Sequence, residues 1–402
     1  NPPAAKTIPF QLEKHGHVRT DNYFWLNDRE NPNVIAYLDG ENQYTDAVLA
    51  STQGLQQTLF DEIKGRIKQT DASVPYAIDG YFYYTRFEDG KEYPIHCRKK
   101  GSLEAPERVI LDVNALAEGH EFCSVAPLAI SPDQDLLAYA VDTAGRRIHT
   151  LTIKDMNTGE LLGDVIPEMT GNIAWSEDNT TLFYTKQDPQ TLRWYQVYRH
   201  VVGTDPAQDA LVFEEADETY RCGVYKTKSK GYILIVSRHT LATEYRTLAA
   251  DDPNGEFHVF LPRERDHEYH VDHCGDHFYI RTNAGAKNFR LMRTPVDQTA
   301  RAHWTTVLPH RDDVLVEDFE LFSAHLVVLE RAQGLKQMHV LPLAALASEA
   351  GEPDESEHVI AFDEPAYTAV PSDNHEMDTP TLRYTYTSLA APPSVYDYNM
   401  VT

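Results

Sequence analysis

The pattern of hydrophobic and polar residues changes once along the chain, near Thr70. Between Asn33 and Lys68, apolar residues recur at intervals of three to four, the spacing that places them on one face of a helix. After Asp71, short runs of β-branched and aromatic residues alternate with Gly, Asp, Asn and Pro, which is typical of strands and turns. The pattern predicts helices with a break near Gly54, followed by a long β-rich region.

The β-rich region repeats about every 50 residues, a period typical of stacked or radial repeats. Each repeat contains one well-marked strand that follows one apolar run and precedes two more, as in the four-stranded blade of a β-propeller. The sequence therefore predicts a mostly β fold, a seven-bladed propeller. Separate β-sandwiches are disfavoured because no linker interrupts the period. The seven marked strands are Tyr81–Arg86, Leu136–Asp142, Thr181–Lys186, Tyr232–Arg238, His277–Thr282, His325–Arg331 and Leu382–Ser388.

The seventh repeat is shorter than the second. Its third strand, Val395–Met400, corresponds to Ile148–Lys154, but the second repeat continues through Gly159 into an outer strand. A blade without its outer strand has an unpaired edge. We therefore expect a propeller over residues 72–402 in a chain that was cut from a longer one.

Composition narrows the range of partners. The 402 residues include 36 Lys plus Arg against 62 Asp plus Glu, a formal charge of -26. The negative electrostatic field of such a protein repels nucleic acid and anionic lipid and favours cationic ligands. An acidic surface can also do no more than keep the protein soluble. No apolar run is long enough for a membrane span, and the first residues lack the pattern of a signal peptide. We expect a cytoplasmic protein without nucleic-acid or membrane partners.

Residues with catalytic or metal-binding chemistry are sparse. The four cysteines lie far apart without a C-x-x-C pair, which indicates reduced thiols. No G-x-S-x-G nucleophile elbow occurs. His267, His270 and His273 are the densest histidine group, but on a strand His267 and His270 point to opposite faces. We expect no catalytic residue, cofactor site or metal site in this chain.

Charged residues between the repeats are the remaining candidates. The acidic cluster at residues 214–218 and the mixed cluster at residues 263–266 are interpreted as solvated loops. In a propeller, loops between blades share one face with loops that join second to third strands. Charged residues on that face could contact a further domain and bias an open–closed equilibrium, or simply face solvent. The candidates for such interdomain gating contacts are Asp71, Glu121, Arg146 and Arg147.

Several stretches together resemble the oligopeptidase B branch of the prolyl oligopeptidase family of serine peptidases, over essentially the full chain. They are residues 15–26 (HGHVRTDNYFWL), 41–44 (ENQY), 197–200 (VYRH) with Gly203, Thr204 and Asp209, 281–283 (RTN) with 286–291 (AKNFRL), and 386–388 (YTS) with 393–398 (PSVYDY).

The resemblance implies a propeller that caps an α/β-hydrolase domain and excludes folded proteins from a buried site. Residues 1–71 would belong with that catalytic domain, which would also cover their apolar stripe. Members hydrolyse short peptides after Arg or Lys with a Ser-His-Asp triad. The triad would lie beyond Thr402, so this chain alone would be inactive. Its partners would be the catalytic domain of the same protein and short basic peptides.

Two other functions remain open. A non-enzymatic propeller would bind a protein or peptide across its loop face, and a gene that ends early would favour it. A propeller with its own catalytic pore, such as a metal-dependent lactonase, would need several inward carboxylates and Asn around calcium. The sequence shows no pattern that supports the latter.

Overall fold

A computed structural model describes residues 1–345 and 356–401. The chain divides into two compact units, one from Asn1 to Gln69 and one from Thr70 onward. This division lies close to the change of pattern near Thr70. The assignment of residues 1–71 to a catalytic domain and of 72–402 to a propeller remains a prediction.

The first unit contains one β-hairpin and two helices. Strand β1 (Phe10–Lys14) pairs antiparallel with β2 (His17–Asp21). Helix α1 (Pro32–Leu49) is followed by a 3-10 turn (Ala50–Thr52) and by helix α2 (Gln53–Arg66). The expected helical segment is present, and its break lies at the 3-10 turn, just before Gly54.

Helix α1 begins at a cap that the sequence provides. The side chain of Asn31 accepts a hydrogen bond from the backbone N–H of Asn33 at 3.0 Å, and Pro32 occupies the first helical position. Only Val34 is buried along the two helices. Their other large apolar side chains are mostly exposed: Ile35, Leu38, Val48, Leu49, Leu55, Leu59, Phe60 and Ile63. No helix among the described residues is long and apolar enough to cross a membrane.

The second unit consists of antiparallel strands and one short helix. In chain order these are β3 (Tyr76–Ile78), β4 (Tyr81–Arg86), β5 (Ile95–Lys100), β6 (Arg108–Asp112), α3 (Val113–Leu116), β7 (Ser124–Val125), β8 (Ala129–Ile130), β9 (Leu136–Asp142), β10 (His149–Asp155), β11 (Leu161–Trp175), β12 (Thr181–Gln187), β13 (Trp194–Val201), β14 (Ala210–Glu214), β15 (Arg221–Lys226), β16 (Tyr232–His239), β17 (Ala242–Ala249), β18 (His258–Leu261), β19 (Tyr269–Cys274), β20 (His277–Thr282), β21 (Arg290–Pro295), β22 (Thr305–Leu308), β23 (Val314–Leu321), β24 (His325–Ala332), β25 (Leu335–Pro342), β26 (His358–Val359), β27 (Tyr367–Pro371), β28 (Thr381–Ser388) and β29 (Ser394–Asn399). The seven strands marked by the sequence repeat are β4, β9, β12, β16, β20, β24 and β28, each within one residue of its expected bounds.

These strands form six sheets rather than seven. Four sheets have four strands each (β3–β6, β15–β18, β19–β22 and β23–β26), and β27–β29 form a three-stranded sheet. The strands β7 to β14 form one eight-stranded sheet, because β11 pairs with β10 through its first part and with β12 through its last part. The mostly β architecture is confirmed, whereas the count of seven blades remains a prediction.

Hydrophobic clusters join each sheet to the next along the chain. Tyr245, Tyr269 and Phe278, for example, bury their rings between the β15–β18 and β19–β22 sheets. The last sheet meets the first through polar contacts: Arg383 Nη1 donates to the carbonyl of Pro75 at 2.6 Å. The sheets therefore close into a ring, the arrangement of a propeller.

The four cysteines carry free thiols. Cys97, Cys123 and Cys222 are buried, and Cys274 at the end of β19 is partly exposed. Burial raises the pKa of each thiol, to about 11 for Cys97 and about 12 for Cys222. A raised pKa keeps a thiol protonated and unreactive, so the three buried cysteines act as core residues.

Candidate functional site

The first strands of the sheets surround a common cavity of about 400 Å³. Residues from five different sheets line it, which places these strands innermost in the ring. The lining includes Ile78 of β3, Tyr225 of β15, His270 and Asp272 of β19, Glu320 of β23, and His375, which follows β27. The cavity is therefore part of the central channel of the propeller.

Charged side chains crowd this channel. Lys228 Nζ lies 2.7 Å from Glu320 Oε1 and over the ring of Phe322, 3.7 Å from its centroid. Burial raises the pKa of Asp272 to about 7, and the nearby Glu320 contributes to the rise. Burial also raises the pKa of Glu320 and lowers that of Lys228, while their mutual attraction opposes both shifts. One lysine thus lies near two carboxylates, an arrangement that favours binding of one further proton or cation.

At one end of the channel, turns that follow the innermost strands meet around Asp79. Its carboxylate pairs with Lys230 and accepts a hydrogen bond from Gln134 Nε2 at 3.2 Å. Its backbone N–H donates to Glu376 at 2.7 Å. These residues come from four different sheets, so Asp79 ties together this mouth of the channel through its carboxylate and its backbone N–H.

The sequence placed its candidates at the opposite end, where the propeller chain begins. Asp71 is exposed, and its carbonyl accepts from the N–H of Phe87 at 2.9 Å, beside the turn after β4. Its carboxylate accepts from the N–H of Ala72 at 3.0 Å. This fixes the backbone of Asp71 at the loop end of the first sheet.

Arg146 and Arg147 occupy the hairpin between β9 and β10, and both are exposed. The buried carboxylate of Asp142 shapes this hairpin by accepting from three backbone N–H groups, that of Arg147 at 2.6 Å. Gly145 has a φ of +72°, a conformation that glycine adopts without strain. The hairpin therefore presents two arginines from a rigid base.

Glu121 lies close to this hairpin. The ring of Phe122 lies 3.7 Å from the point where a Cβ on Gly145 would stand, so the two loops are in contact. Within residues 1–345 and 356–401, neither Glu121 nor Arg146 nor Arg147 forms a side-chain ion pair. The structure thus brings these three charges to one part of the loop face, and Asp71 belongs to a separate loop. Their role as interdomain contacts remains a prediction.

Part of the charged clusters interpreted as solvated loops is buried, which corrects that interpretation. Glu215 is only 3% exposed, and its carboxylate lies 2.7 Å from Arg263 Nη2. Arg263 also contacts Glu244 at 3.3 Å and stacks on the ring of Tyr220. The guanidinium of Arg263 offsets the free-energy cost of removing the carboxylates of Glu215 and Glu244 from water. It can serve both because Arg forms several hydrogen bonds in one plane. Arg265, in contrast, is exposed as expected.

The three clustered histidines have separate partners. His267 Nε2 lies 2.9 Å from Thr282 Oγ1, His270 Nδ1 lies 3.0 Å from the hydroxyl of Tyr245, and His273 Nδ1 lies 2.7 Å from Ser229 Oγ. Burial lowers the pKa of all three, to about 4 for His267. His270 and His273 connect this sheet to the neighbouring β15–β18 sheet, whereas His267 bonds within the β19–β22 sheet.

The comparisons with known proteins agree with this architecture. The family described as "Prolyl oligopeptidase, N-terminal beta-propeller domain" matches residues 2–402. Dipeptidyl aminopeptidase BI of Pseudoxanthomonas mexicana is 43% identical over 100% of this chain and 56% of its own length. Protease 2 of Moraxella lacunata is 32% identical over 100% of this chain and 57% of its own length.

Solved structures show the same relation. Oligopeptidase B from Leishmania major superposes with a TM-score of 0.91 at 31% identity, and covers 100% of this chain with 59% of its own. Oligopeptidase B from Trypanosoma brucei gives 0.90 at 26% identity. The chain thus spans less than two thirds of the length of these relatives. A match over residues 2–402 and a relative 43% identical along the whole chain show that it belongs to the prolyl oligopeptidase family, as an N-terminal β-propeller domain.

Proposed function

We propose that this chain is the propeller part of a serine oligopeptidase that hydrolyses short peptides after Arg or Lys. The observation that carries the proposal is the family match over residues 2–402, together with relatives that continue well beyond the matched region. In this proposal the chain supplies no catalytic residue. The nucleophile, the base and the oxyanion hole belong to a hydrolase domain of the same protein.

The propeller in this proposal has seven blades. The eight-stranded sheet counts as two blades that share β11, whose pairing passes from β10 to β12 between Met169 and Ile173. Gly171, with a φ of +88°, lies at this transition and supports a change of direction there. Division of β11 at this point gives two blades of ordinary width.

Charge supports a preference for basic peptides. The formal charge of -26 raises the local concentration of cationic ligands near the protein. The preference for Arg or Lys at the cleaved bond would arise in the catalytic domain. The propeller contributes steering and a size limit, because a ring with a narrow channel admits short chains more readily than folded proteins.

The loop face is the proposed junction with the catalytic domain. Glu121, Arg146 and Arg147 would make charged contacts there that favour the closed state, with Asp71 at the start of the propeller chain. The exposed apolar side chains of α1 and α2 would pack on the same domain. Free thiols in all four cysteines agree with the cytoplasmic location that we propose.

The test uses the full-length gene product and a panel of chromogenic amides with Arg, Lys, Glu or Ala at the cleaved position. We expect hydrolysis of the Arg and Lys amides and covalent labelling by a serine-reactive fluorophosphonate. A gene that ends near Thr402, with no hydrolysis of any amide, would favour the non-enzymatic propeller instead. Cleavage after Ala or Glu as fast as after Arg would overturn the proposed specificity.

A further inference from the structure

The turn between β15 and β16, residues Thr227–Gly231, carries two lysines that reach towards different sheets. Lys228 pairs with Glu320 of β23 at 2.7 Å, and Lys230 pairs with Asp79, which follows β3. Neither partner belongs to a sheet that precedes or follows β15–β18 along the chain. Both ion pairs therefore cross the channel instead of running along its wall.

The base of this turn is fixed. The backbone N–H of Thr227 donates to the carbonyl of Tyr232 at 2.9 Å, and the N–H of Tyr232 donates to Thr227 Oγ1 at 3.1 Å. The hydroxyl of Thr227 also lies 3.0 Å from that of Ser229. Ser229 Oγ in turn lies 2.7 Å from His273 Nδ1 on the neighbouring sheet. A Cβ on Gly231 would stand 2.9 Å from the same imidazole, so the turn packs closely against it. These contacts hold the backbone of the turn, from which the two lysine side chains extend.

The acceptors are also held in place. Gln134 and the backbone contact to Glu376 position Asp79 from two other sheets. Glu320 lies within β23 and next to Phe322, over whose ring the ammonium group of Lys228 is placed. Asp79 and Glu320 are therefore both held in place opposite the turn. The long side chains of Lys228 and Lys230 span the distance from the turn to these carboxylates.

We propose that the side chains of Lys228 and Lys230, held on the fixed Thr227–Gly231 turn, form a plug that closes this mouth of the channel and opens when their two ion pairs weaken. The side chains of Lys230 and Asp79 are 40% and 28% exposed, so water and salt reach the pair. Partly exposed pairs contribute little free energy each and are screened by salt. Such contacts suit reversible closure better than permanent closure.

The titratable groups around Lys228 make the plug sensitive to pH. Asp272, Asp318, Glu320, Cys274 and His375 surround it in the channel. Because burial raises the pKa of both Glu320 and Asp272, these carboxylates become neutral at a higher pH than exposed ones. Acidification therefore removes the anions that hold Lys228 before it affects exposed surface pairs.

The chain contains a native reporter of this mouth. Cys274 Sγ lies 3.8 Å from the carbonyl oxygen of Phe322, whose ring lies under Lys228. Withdrawal of Lys228 would expose this region of the channel to a thiol reagent. The other cysteines are at most 4% exposed and serve as internal controls for unfolding.

The experiment measures the rate at which a neutral maleimide labels Cys274 in the full-length protein, followed site by site by peptide mass spectrometry. We compare the wild type with Lys228→Gln, Lys230→Gln and the double variant. Loss of the partly exposed Lys230–Asp79 pair and of the more buried Lys228–Glu320 pair should raise the labelling rate of the double variant at least about tenfold at low salt. In the wild type, added salt should raise the rate, and in the double variant salt should have little effect.

Lys226→Gln is the matched control, because Lys226 lies on the adjacent strand β15 and pairs with Glu177 instead of across the channel. Its labelling rate should remain close to that of the wild type. An unchanged rate in the double variant, or an equal rise in Lys226→Gln, would overturn the plug. If a variant unfolds, Cys97, Cys123 and Cys222 become labelled too. The test then rests on the wild type alone, and a labelling rate of Cys274 that does not change with salt contradicts the proposal. The labelling rate does not depend on peptidase activity, so this test can fail or succeed separately from the proposed function.

Discussion

His200 Nε2 lies 2.8 Å from Asp164 Oδ1, and both side chains are almost completely buried. The other ring nitrogen of His200 lies 2.7 Å from Asp209 Oδ1, so one imidazole connects two carboxylates. Asp164 also accepts from the N–H of Gly203 at 2.6 Å. This cluster ties β11 to β13 and to the turn that precedes β14.

The first prediction concerns this cluster. His200→Gln removes the ring that bridges two buried carboxylates, and we expect the free energy of unfolding to fall by about 2–4 kcal/mol because these acceptors lose their shared hydrogen-bond partner. Urea unfolding followed by tryptophan fluorescence measures the change. His303→Gln, at an exposed position, is the control and should have little effect. A loss for His200→Gln no larger than that of the control would show that the cluster does not stabilise the fold.

A second prediction compares two arginines of one loop. Arg263 lies between Glu215 and Glu244, whereas the side chain of Arg265 is 94% exposed. Arg263→Ala should lower the free energy of unfolding by about 2–4 kcal/mol, because it leaves the buried carboxylate of Glu215 without its cation, whereas Glu244 keeps its pair with Arg246. Arg265→Ala should change it by less than about 0.5 kcal/mol. Equal effects of the two substitutions in thermal unfolding would contradict the assignment of a buried ion-pair network.

A third prediction follows from the raised pKa of Asp272. Its pKa rises from an ordinary 3.8 to about 7 in the folded chain, chiefly through burial. Between these values the folded state holds a proton that the unfolded state lacks, so this group lowers stability as pH rises from about 4 to about 7. Asp272→Asn removes the dependence and should stabilise the protein at pH 8 by about 1–3 kcal/mol.

The measurement for Asp272 is the difference in melting temperature between variant and wild type across that pH range. The difference should grow up to about pH 7 and then remain constant. Asp276→Asn, at an exposed position two residues after Cys274, should show no such trend. A constant difference at all pH values would mean that Asp272 is not protonated in the folded channel.

A fourth prediction tests the loop face. In the full-length protein, Arg146→Glu should weaken charged contacts with the catalytic domain and raise the open fraction by a factor of about two to five. Small-angle scattering reports the open fraction, and amide hydrolysis reports its effect on turnover. Lys100→Glu makes the same change of charge at the exposed end of β5, where the chain turns towards β6 at the opposite face, and should leave both unchanged. Identical scattering for Arg146→Glu and the wild type would exclude Arg146 as a gating contact.

Much of the fold could be predicted from the sequence, because strand and turn signals are local. The outer strand expected after Gly159 in the second repeat nevertheless runs from Leu161 to Trp175, far beyond the length of a blade strand. Pro167 and Gly171 stand within this extension, and both are residues that local rules treat as strand breakers. The extended strand tolerates them because its pairing changes partner there, which no local pattern shows.

The site was less predictable. No sequence pattern marked Asp164 as important. His200, Gly203 and Asp209 do belong to a stretch that resembles the family. In the structure His200 and Gly203 contact Asp164, and Asp209 contacts His200. Lys228 and Lys230 look like ordinary turn residues. Their ion pairs form only because the sheets close into a ring, which brings Glu320 and Asp79 close to them from distant parts of the chain. Contacts of this kind follow from tertiary closure and not from sequence spacing.

We propose that the propeller restricts a peptidase to short substrates. The most direct test offers the full-length protein one Arg-containing cleavage sequence in two forms, a short free peptide and the same sequence in an exposed loop of a stably folded protein. A conventional trypsin-like protease serves as the control and should cleave both. We predict that the full-length protein cleaves the peptide and leaves the folded protein intact. Cleavage of both at similar rates, or of neither, would contradict the account.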